Sequence, residues 1–250
     1  MSMSMENYVT TKEERIMKKI LFLALMAMGF TNVKAENECT TTLGADFVNQ
    51  YIWRGQDLGN VSLQPTLGVG YKGLSLTAWG SVGLANTADT KEFDITASYT
   101  IGGFSVGITD YWFSVGLDPD GRYFRYNAHS TNHIFEAFVG YDFGVLSVNW
   151  FTNFAGNDGT NGSGKRAYSS YFEISAPFHF ASVDWKATAG ASPYATSLYG
   201  TTGFAVTNLS LRATKDIKIT ESFSIPVFGQ LTGNPCSQKA YLVFGFTLQP

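Results

Sequence analysis

The sequence predicts an all-β protein, a closed antiparallel transmembrane β-barrel of about twelve strands. Three observations lead to this prediction. Apolar and polar residues alternate along most of the chain, the alternating segments are similar in length, and short and long connections alternate between them. Alternation turns one side-chain face toward lipid and the other toward a polar interior, and about ten residues cross a bilayer when the strand is tilted.

The N-terminal segment has the order of parts found in a secretory signal peptide. Lys18 and Lys19 form a basic segment, an apolar stretch covers 20–30, and Val33-Lys34-Ala35 has the residue types of a cleavage site. The apolar stretch is about eleven residues long, too short for a helix to cross a core of ~30 Å, so a retained anchor helix is the less favoured alternative.

Two domains follow from this interpretation. We expect 1–35 to be an N-terminal extension and signal peptide cleaved after Ala35, and 36–250 to be an outer-membrane β-barrel. The basic segment begins directly after Met17, so Met17 is a better candidate initiator than Met1.

Composition argues against several classes of protein. The net charge of −3 disfavours a nucleic-acid partner, which would require a basic surface. Cys39 and Cys236 are too few for a disulfide scaffold, and the predicted topology places them at opposite ends of the barrel, so we expect no bond between them. No cofactor is expected.

The segment 61–72 shows the alternation most clearly. One face carries Val61, Leu63, Pro65, Leu67, Val69 and Tyr71, and the other carries Ser62, Gln64, Thr66, Gly68, Gly70 and Lys72. The same pattern defines the other strands. The predicted strands are 41–53, 61–72, 74–83, 91–101, 103–113, 132–143, 145–154, 167–179, 182–192, 203–215, 221–231 and 239–249.

Connection lengths support a membrane barrel over a soluble β-sandwich. Connections after even-numbered predicted strands are tight, as at Lys72-Gly73 and Gly102-Gly103, whereas those after odd-numbered strands are longer, as at Leu117–Thr131 and Ala155–Ala167. Short periplasmic turns and long extracellular loops are typical of outer-membrane barrels.

Aromatic residues are expected at both membrane interfaces. We place Tyr71, Tyr99, Phe143 and Phe178 in a periplasmic girdle, and Tyr51, Trp53, Trp112 and Trp150 in an outer girdle.

Several short motifs resemble a known family. The segment Tyr51-Ile52-Trp53-Arg54-Gly55, together with Pro65, Trp79-Gly80-Ser81 and Glu92-Phe93-Asp94, resembles the N-terminal half of the TorF-type porin family of small outer-membrane barrels. The resemblance covers roughly residues 45–100. It implies location and architecture and supplies no established reaction. The chain ends in Leu248-Gln249-Pro250, where many barrels have a terminal aromatic residue.

The inward faces supply the candidate functional residues. An open lumen would be polar and net acidic, whereas buried charges could instead pair across the barrel and plug it; the sequence leaves both possibilities open. The lumen-lining candidates are Asp46, Glu92, Asp94, Glu136, Asp142, Glu173, Asp184, Lys186 and Arg212. At the outer rim, Arg54 beside Gly55 is expected to pair with a rim carboxylate or, less favoured, to bind a lipopolysaccharide phosphate.

These observations predict a small porin-like channel for passive diffusion of small solutes in the cell outer membrane. Its partners would be outer-membrane lipid and lipopolysaccharide, the outer-membrane assembly machinery and small solutes; the oligomeric state stays open. The alternatives are a lipid-modifying barrel enzyme and a closed structural or adhesive barrel that acts through its loops. The enzyme is disfavoured because the cluster His129–His133 contains suitable residue types but matches no catalytic motif, so we expect no catalytic residues and no metal site.

Overall fold

In the computed structural model, the chain forms a closed antiparallel barrel of twelve strands. The structure describes residues 39–85, 89–221 and 223–250, and Thr40–Pro250 forms one compact unit. The predicted signal peptide lies outside the described residues. No helix in the described part of the chain is long and apolar enough to cross a membrane.

The described residues contain fourteen strands, of which twelve form the wall. The wall strands are β1 (Cys39–Val48), β4 (Ser62–Tyr71), β5 (Leu74–Gly83), β6 (Glu92–Ile101), β7 (Phe104–Phe113), β8 (His133–Asp142), β9 (Ser147–Gly156), β10 (Ser170–Phe180), β11 (Val183–Ser192), β12 (Ala205–Lys218), β13 (Ser224–Asn234) and β14 (Lys239–Leu248). The two remaining strands, β2 (Tyr51–Trp53) and β3 (Gln56–Gly59), pair with each other in a separate sheet.

The predicted fold class and strand count are confirmed. From β4 onward each wall strand pairs with the next along the chain, and β1 closes the barrel by pairing with β14, in a register that sets Ala45 opposite Leu248. Every predicted strand after the first overlaps one wall strand.

The predicted first strand, 41–53, is longer than the strand in the structure. β1 ends at Val48 because the next residue, Asn49, satisfies the edge of β14 with its side chain: its Nδ2 donates to the Leu242 carbonyl at 3.1 Å and its Oδ1 accepts from the Phe244 amide at 2.7 Å. The chain then leaves the wall and forms β2 and β3. A side-chain amide can make the hydrogen bonds that the backbone of a longer β1 would otherwise make to β14.

Burial is inverted relative to a soluble protein. Among the described residues, most buried side chains are polar, and large hydrophobic side chains are abundant on the exposed surface. On β6, for example, Glu92 and Asp94 are buried while the intervening Phe93 is 37% exposed. An apolar outer belt around a polar interior is the architecture of an outer-membrane barrel, whose closed sheet leaves no strand edge unpaired in lipid.

The two ends of the barrel differ as predicted. Tight connections gather at one end, called the turn end below; Lys72-Gly73 is one of them, with φ of 48° and 84° as a type I′ turn requires. Connections such as 114–132 and 157–169 gather at the other, the loop end. The connection 235–238 before β14 is an exception, because it is short at the loop end.

The predicted positions of the aromatic side chains are correct near the turn end and partly wrong near the loop end. Near the turn end, four aromatic side chains are exposed on the outer face: Tyr71, Tyr99, Phe143 and Phe178. At the loop end the prediction fails for Tyr51 and Trp53, which point into the lumen on β2, and Trp150 lies nearer the middle of its strand. Trp112 is covered by Tyr123, whose ring lies 5.7 Å away.

Candidate functional site

A hairpin formed by β2 and β3, the plug hairpin (Tyr51–Gly59), folds into the lumen. Its tip is the pair Arg54 and Gly55, with φ of 49° and 80°, the signature of a type I′ turn. Gly55 lies against the Thr207 carbonyl on β12, where a Cβ atom would collide. The Gly55 carbonyl accepts a hydrogen bond from the Asn234 Nδ2 on β13 at 3.0 Å. The tip therefore touches one side of the wall through its backbone.

The base of the plug hairpin rests on a small apolar cluster. Ile52 packs against Val48, Phe228 and Val243, which come from β1, β13 and β14. In the described part of the barrel, these side chains form a buried hydrophobic cluster against which the hairpin base packs.

The Arg54 side chain extends from the tip to the opposite wall and binds Glu136 on β8. The guanidinium makes two parallel contacts with the carboxylate, at 2.6 Å and 2.9 Å, and both side chains are nearly inaccessible, at 7% and 1% exposure. Arg54 also donates to the Tyr199 hydroxyl at 2.7 Å, and Tyr111 donates its hydroxyl to Glu136 at 2.9 Å. Bidentate pairs of this kind are among the strongest hydrogen-bonded contacts in proteins.

Three aromatic rings surround the same guanidinium. Its central carbon lies 4.4 Å from the ring centroid of Trp53, 4.0 Å from that of Phe151 and 4.7 Å from that of Tyr171. These distances are typical of cation–π contacts. We call the surroundings of the guanidinium the Arg54 cage, comprising Trp53, Tyr111, Glu136, Phe151, Tyr171 and Tyr199.

Tyr171 is held in place by its own network. The side chain is fully buried; its hydroxyl donates to Glu173 at 3.0 Å and accepts from Asn208 Nδ2 at 3.1 Å. Gly190 on β11 faces this ring so closely that no side chain would fit there. Glu173, a predicted lumen residue, therefore supports the cage through Tyr171.

A second acidic group lies beside the base of the plug hairpin. Glu92 and Asp94 share the inward face of β6, and both interact with Tyr51 of β2. The Tyr51 ring lies 5.5 Å from that of Trp79 on β5. In the described structure, Oδ1 of Asp94 is buried without a hydrogen-bond partner.

The other predicted lumen residues lie on the inward face but outside the cage. Asp46 accepts from Thr247 at 2.6 Å, and Asp142 accepts from the Gly144 amide in a turn. Nearer the turn end, Asp184 contacts His179, Lys186 lies opposite Arg212, and the Arg212 guanidinium stacks on Phe228 at 3.6 Å. The structure thus brings Glu136 and Glu173 together around Arg54. Lying apart from the cage are Asp46, Asp142, Asp184, Lys186 and Arg212.

The prediction that Arg54 lies at the outer rim was wrong: its side chain lies in the lumen, where it pairs with Glu136 instead of a rim carboxylate. The sequence interpretation also missed four cage residues, Tyr111, Phe151, Tyr171 and Tyr199. The alternation of inward and outward positions along the strands could have identified the first three. They fall on the inward face of their strands, where most other side chains are small and polar. Tyr199 lies in the connection 193–204, where apolar and polar residues do not alternate.

From the histidine cluster, His133 lies on the outer face of the wall. His133 Nδ1 is 2.7 Å from Asp110 Oδ1, and its Nε2 is 2.6 Å from the Tyr123 carbonyl. A carbonyl oxygen only accepts, so Nε2 carries a proton and donates it. Tyr126 stacks on the imidazole at 4.2 Å, and the Ser130 hydroxyl accepts from Arg125. Both ring nitrogens are therefore engaged in hydrogen bonds.

The connection 114–132 is organised around a buried carboxylate. Asp118 contacts Arg122 at 3.1 Å and Arg125 at 3.2 Å, and Asn132 bonds to its backbone amide and carbonyl. The hydrogen bond from Arg122 is the main reason why the pKa of Asp118 is lowered. This long connection is therefore a folded unit.

A cavity of about 80 Å³ lies beside the cage, and its lining includes Trp53, Leu58 and Leu198. Within the described ranges, no group of three or more histidine, cysteine or acidic residues is arranged to hold a metal ion. Cys39 and Cys236 are free thiols.

The fold is a closed twelve-stranded antiparallel β-barrel whose polar lumen holds the plug hairpin. No family model matches the chain, and no curated protein matches it. Among solved structures, it is similar to CdiB from Acinetobacter baumannii, with 11% identity and a TM-score of 0.35, over 86% of this chain and 60% of that one. An outer membrane channel from Pseudomonas putida F1 has 10% identity and a TM-score of 0.35, over 86% of this chain and 98% of that one.

Proposed function

We propose that the protein is a small, gated porin-like channel in the cell outer membrane, closed by the plug hairpin in the state described. The observation that carries the proposal is the polar attachment of the hairpin tip. Arg54 is held by an ion pair and hydrogen bonds, and Gly55 by one hydrogen bond from Asn234. Contacts of this kind can exchange with water when a hairpin moves, whereas an apolar core would resist hydration.

The lumen lining toward the turn end supports passage of water and small solutes. Short hydroxyl side chains from neighbouring strands bond to one another there, as in the pairs Ser75–Ser98 at 2.7 Å and Ser147–Ser175 at 2.9 Å. Small polar side chains leave space and offer hydrogen bonds to water, as in a solute-conducting barrel.

The charges on the inward face favour cations over anions. Acidic residues outnumber the basic ones there, even with Arg54 added to Lys186 and Arg212. We further propose that the loop end is extracellular, that the barrel lies in lipid and lipopolysaccharide after insertion by the outer-membrane assembly machinery, and that it belongs with the TorF-type porins.

A closed structural barrel is the second candidate, because the plug hairpin touches the wall on opposite sides. The lipid-modifying enzyme is disfavoured. Both ring nitrogens of His133 are engaged, which supports a protein without this catalytic activity.

Conductance of the refolded full-length protein in planar bilayers tests the channel. We expect Arg54→Ala to conduct with a higher open probability than wild type, by at least about tenfold, because a buried charged contact of the tip is lost. Asp184→Asn, which changes an exposed acid at the turn end, is the matched control and should leave gating near the wild-type level. Absence of current from both wild type and Arg54→Ala, in protein shown to be folded, would remove the channel and favour the closed structural barrel.

A further inference from the structure

The Arg54 cage has the chemistry of a receptor for guanidinium. Glu136 presents a carboxylate to two guanidinium nitrogens, two tyrosine hydroxyls complete the polar contacts, and aromatic faces cover the cation. A planar, delocalised cation fits a carboxylate fork and aromatic faces together better than a compact ammonium ion does.

The receptor and its occupant belong to different parts of the chain. Tyr111, Glu136, Phe151 and Tyr171 come from four consecutive wall strands, β7 to β10. Arg54, by contrast, is the tip residue of the plug hairpin. Movement of the hairpin would remove the cation and leave the acidic, aromatic wall site in the lumen.

We propose that this wall site binds solutes that carry a guanidinium group, and that Arg54 occupies it as an internal competitor when the channel is closed. The proposal deepens the proposed function, since the role of the site in transport rests on the barrel being a channel. Binding itself does not depend on conduction.

The tethering of Arg54 sets the expected behaviour of wild type. A group held on a short hairpin competes at an effective concentration of about millimolar or higher. A free guanidinium solute therefore binds wild type weakly and binds a variant without Arg54 more strongly. Glu136 should carry most of the preference for a cation, because it is the acidic group of the cage in direct contact with Arg54.

Methylguanidinium chloride is the probe, and urea, its neutral planar analogue, is the matched control ligand. With refolded full-length Arg54→Ala, we expect methylguanidinium to raise the thermal unfolding temperature and to block the current, with half-effect at about millimolar concentration. Arg54→Ala/Glu136→Gln should lose the response by at least about tenfold. Arg54→Ala/Asp184→Asn should keep it. Urea should have no effect at the same concentration.

A change in gel mobility on heating checks that each variant is folded. If Arg54→Ala does not fold, Arg54→Lys replaces it, since lysine keeps the charge but cannot make the bidentate contact with Glu136. No response in either folded variant, an equal response to urea, or a response that survives Glu136→Gln would overturn the binding site. Stabilisation by methylguanidinium without any current would support the site while removing the channel. Current that methylguanidinium leaves unchanged would support the channel and overturn the site.

Discussion

At the scale of single residues, the ion pair of Arg54 and Glu136 is the buried charged contact between the plug hairpin and the wall. Two charges with exposures of 7% and 1% have lost most of their hydration, and removal of one partner from such a pair typically costs about 3–5 kcal/mol. The pair therefore stabilises one position of the plug hairpin against others. Its geometry selects that position because a fork-shaped contact tolerates little displacement.

Asp118 provides a residue-scale prediction of pH dependence. Its pKa in the folded connection is lowered, chiefly by the hydrogen bond from Arg122, so its contribution to stability is present above the ordinary aspartate pKa of about 4 and is lost as pH falls through the folded value. We expect the connection 114–132 to be cleaved faster by an acid-active protease at about pH 3 than at about pH 5, relative to an unfolded reference peptide.

Asp118→Asn is the control for that experiment. This variant should lack the part of the pH response that Asp118 causes and should be cleaved faster than wild type at the higher pH, because Arg122 and Arg125 lose their shared acceptor. Asp110, which contacts His133, is unchanged in both proteins, so its own titration appears equally in each. An identical pH response in wild type and Asp118→Asn would contradict the prediction.

At the scale of elements, the plug hairpin depends on one glycine. Gly55 combines a φ of 80° with direct contact to the Thr207 carbonyl, so a side chain there meets both backbone strain and a collision. We expect Gly55→Val to displace the hairpin tip and to lower the free energy of unfolding by about 2–3 kcal/mol. Urea unfolding of the refolded protein, followed by tryptophan fluorescence, measures the change, and bilayer recordings should show increased opening.

Gly102→Val separates strain from collision. Gly102 has a φ of 57°, and a Cβ atom at this position would have no neighbouring atom within 4 Å, so strain alone should cost about 1–2 kcal/mol, with gating unchanged. Equal effects of the two substitutions on gating would show that the contact of Gly55 with β12 does not hold the plug.

The wall strands could be predicted from the sequence because apolar side chains on the outer face alternate with polar side chains on the lumen face. The plug hairpin could not, since Tyr51 and Trp53 continue the alternation of β1 and resemble a longer strand. The physical signals that end β1 and start the hairpin are local. The Asn49 side chain hydrogen-bonds to the backbone of β14, and Arg54 and Gly55 form a tight turn. Tyr199 could not be predicted because it lies in a connection, where no alternation of apolar and polar residues indicates which side chains face the lumen.

At the scale of the whole molecule, the inverted burial pattern makes stability depend on the solvent outside the barrel. Ile108 lies in the middle of β7, 53% exposed on the outer face. Leu117 is similarly exposed, at 48%, but lies in the connection at the loop end. The same substitution should therefore have different consequences at these two positions if the apolar belt faces lipid.

We expect Ile108→Arg to lower the free energy of unfolding in lipid vesicles by about 2–4 kcal/mol, because a charge near the bilayer midplane must be hydrated or moved to the interface. Leu117→Arg should change it by less than about 0.5 kcal/mol, the usual range for a surface position away from special contacts. Denaturant titration after refolding into vesicles measures both. If Ile108→Arg were as mild as Leu117→Arg, water rather than lipid would surround the outer belt, and both the membrane location and the channel would be lost together.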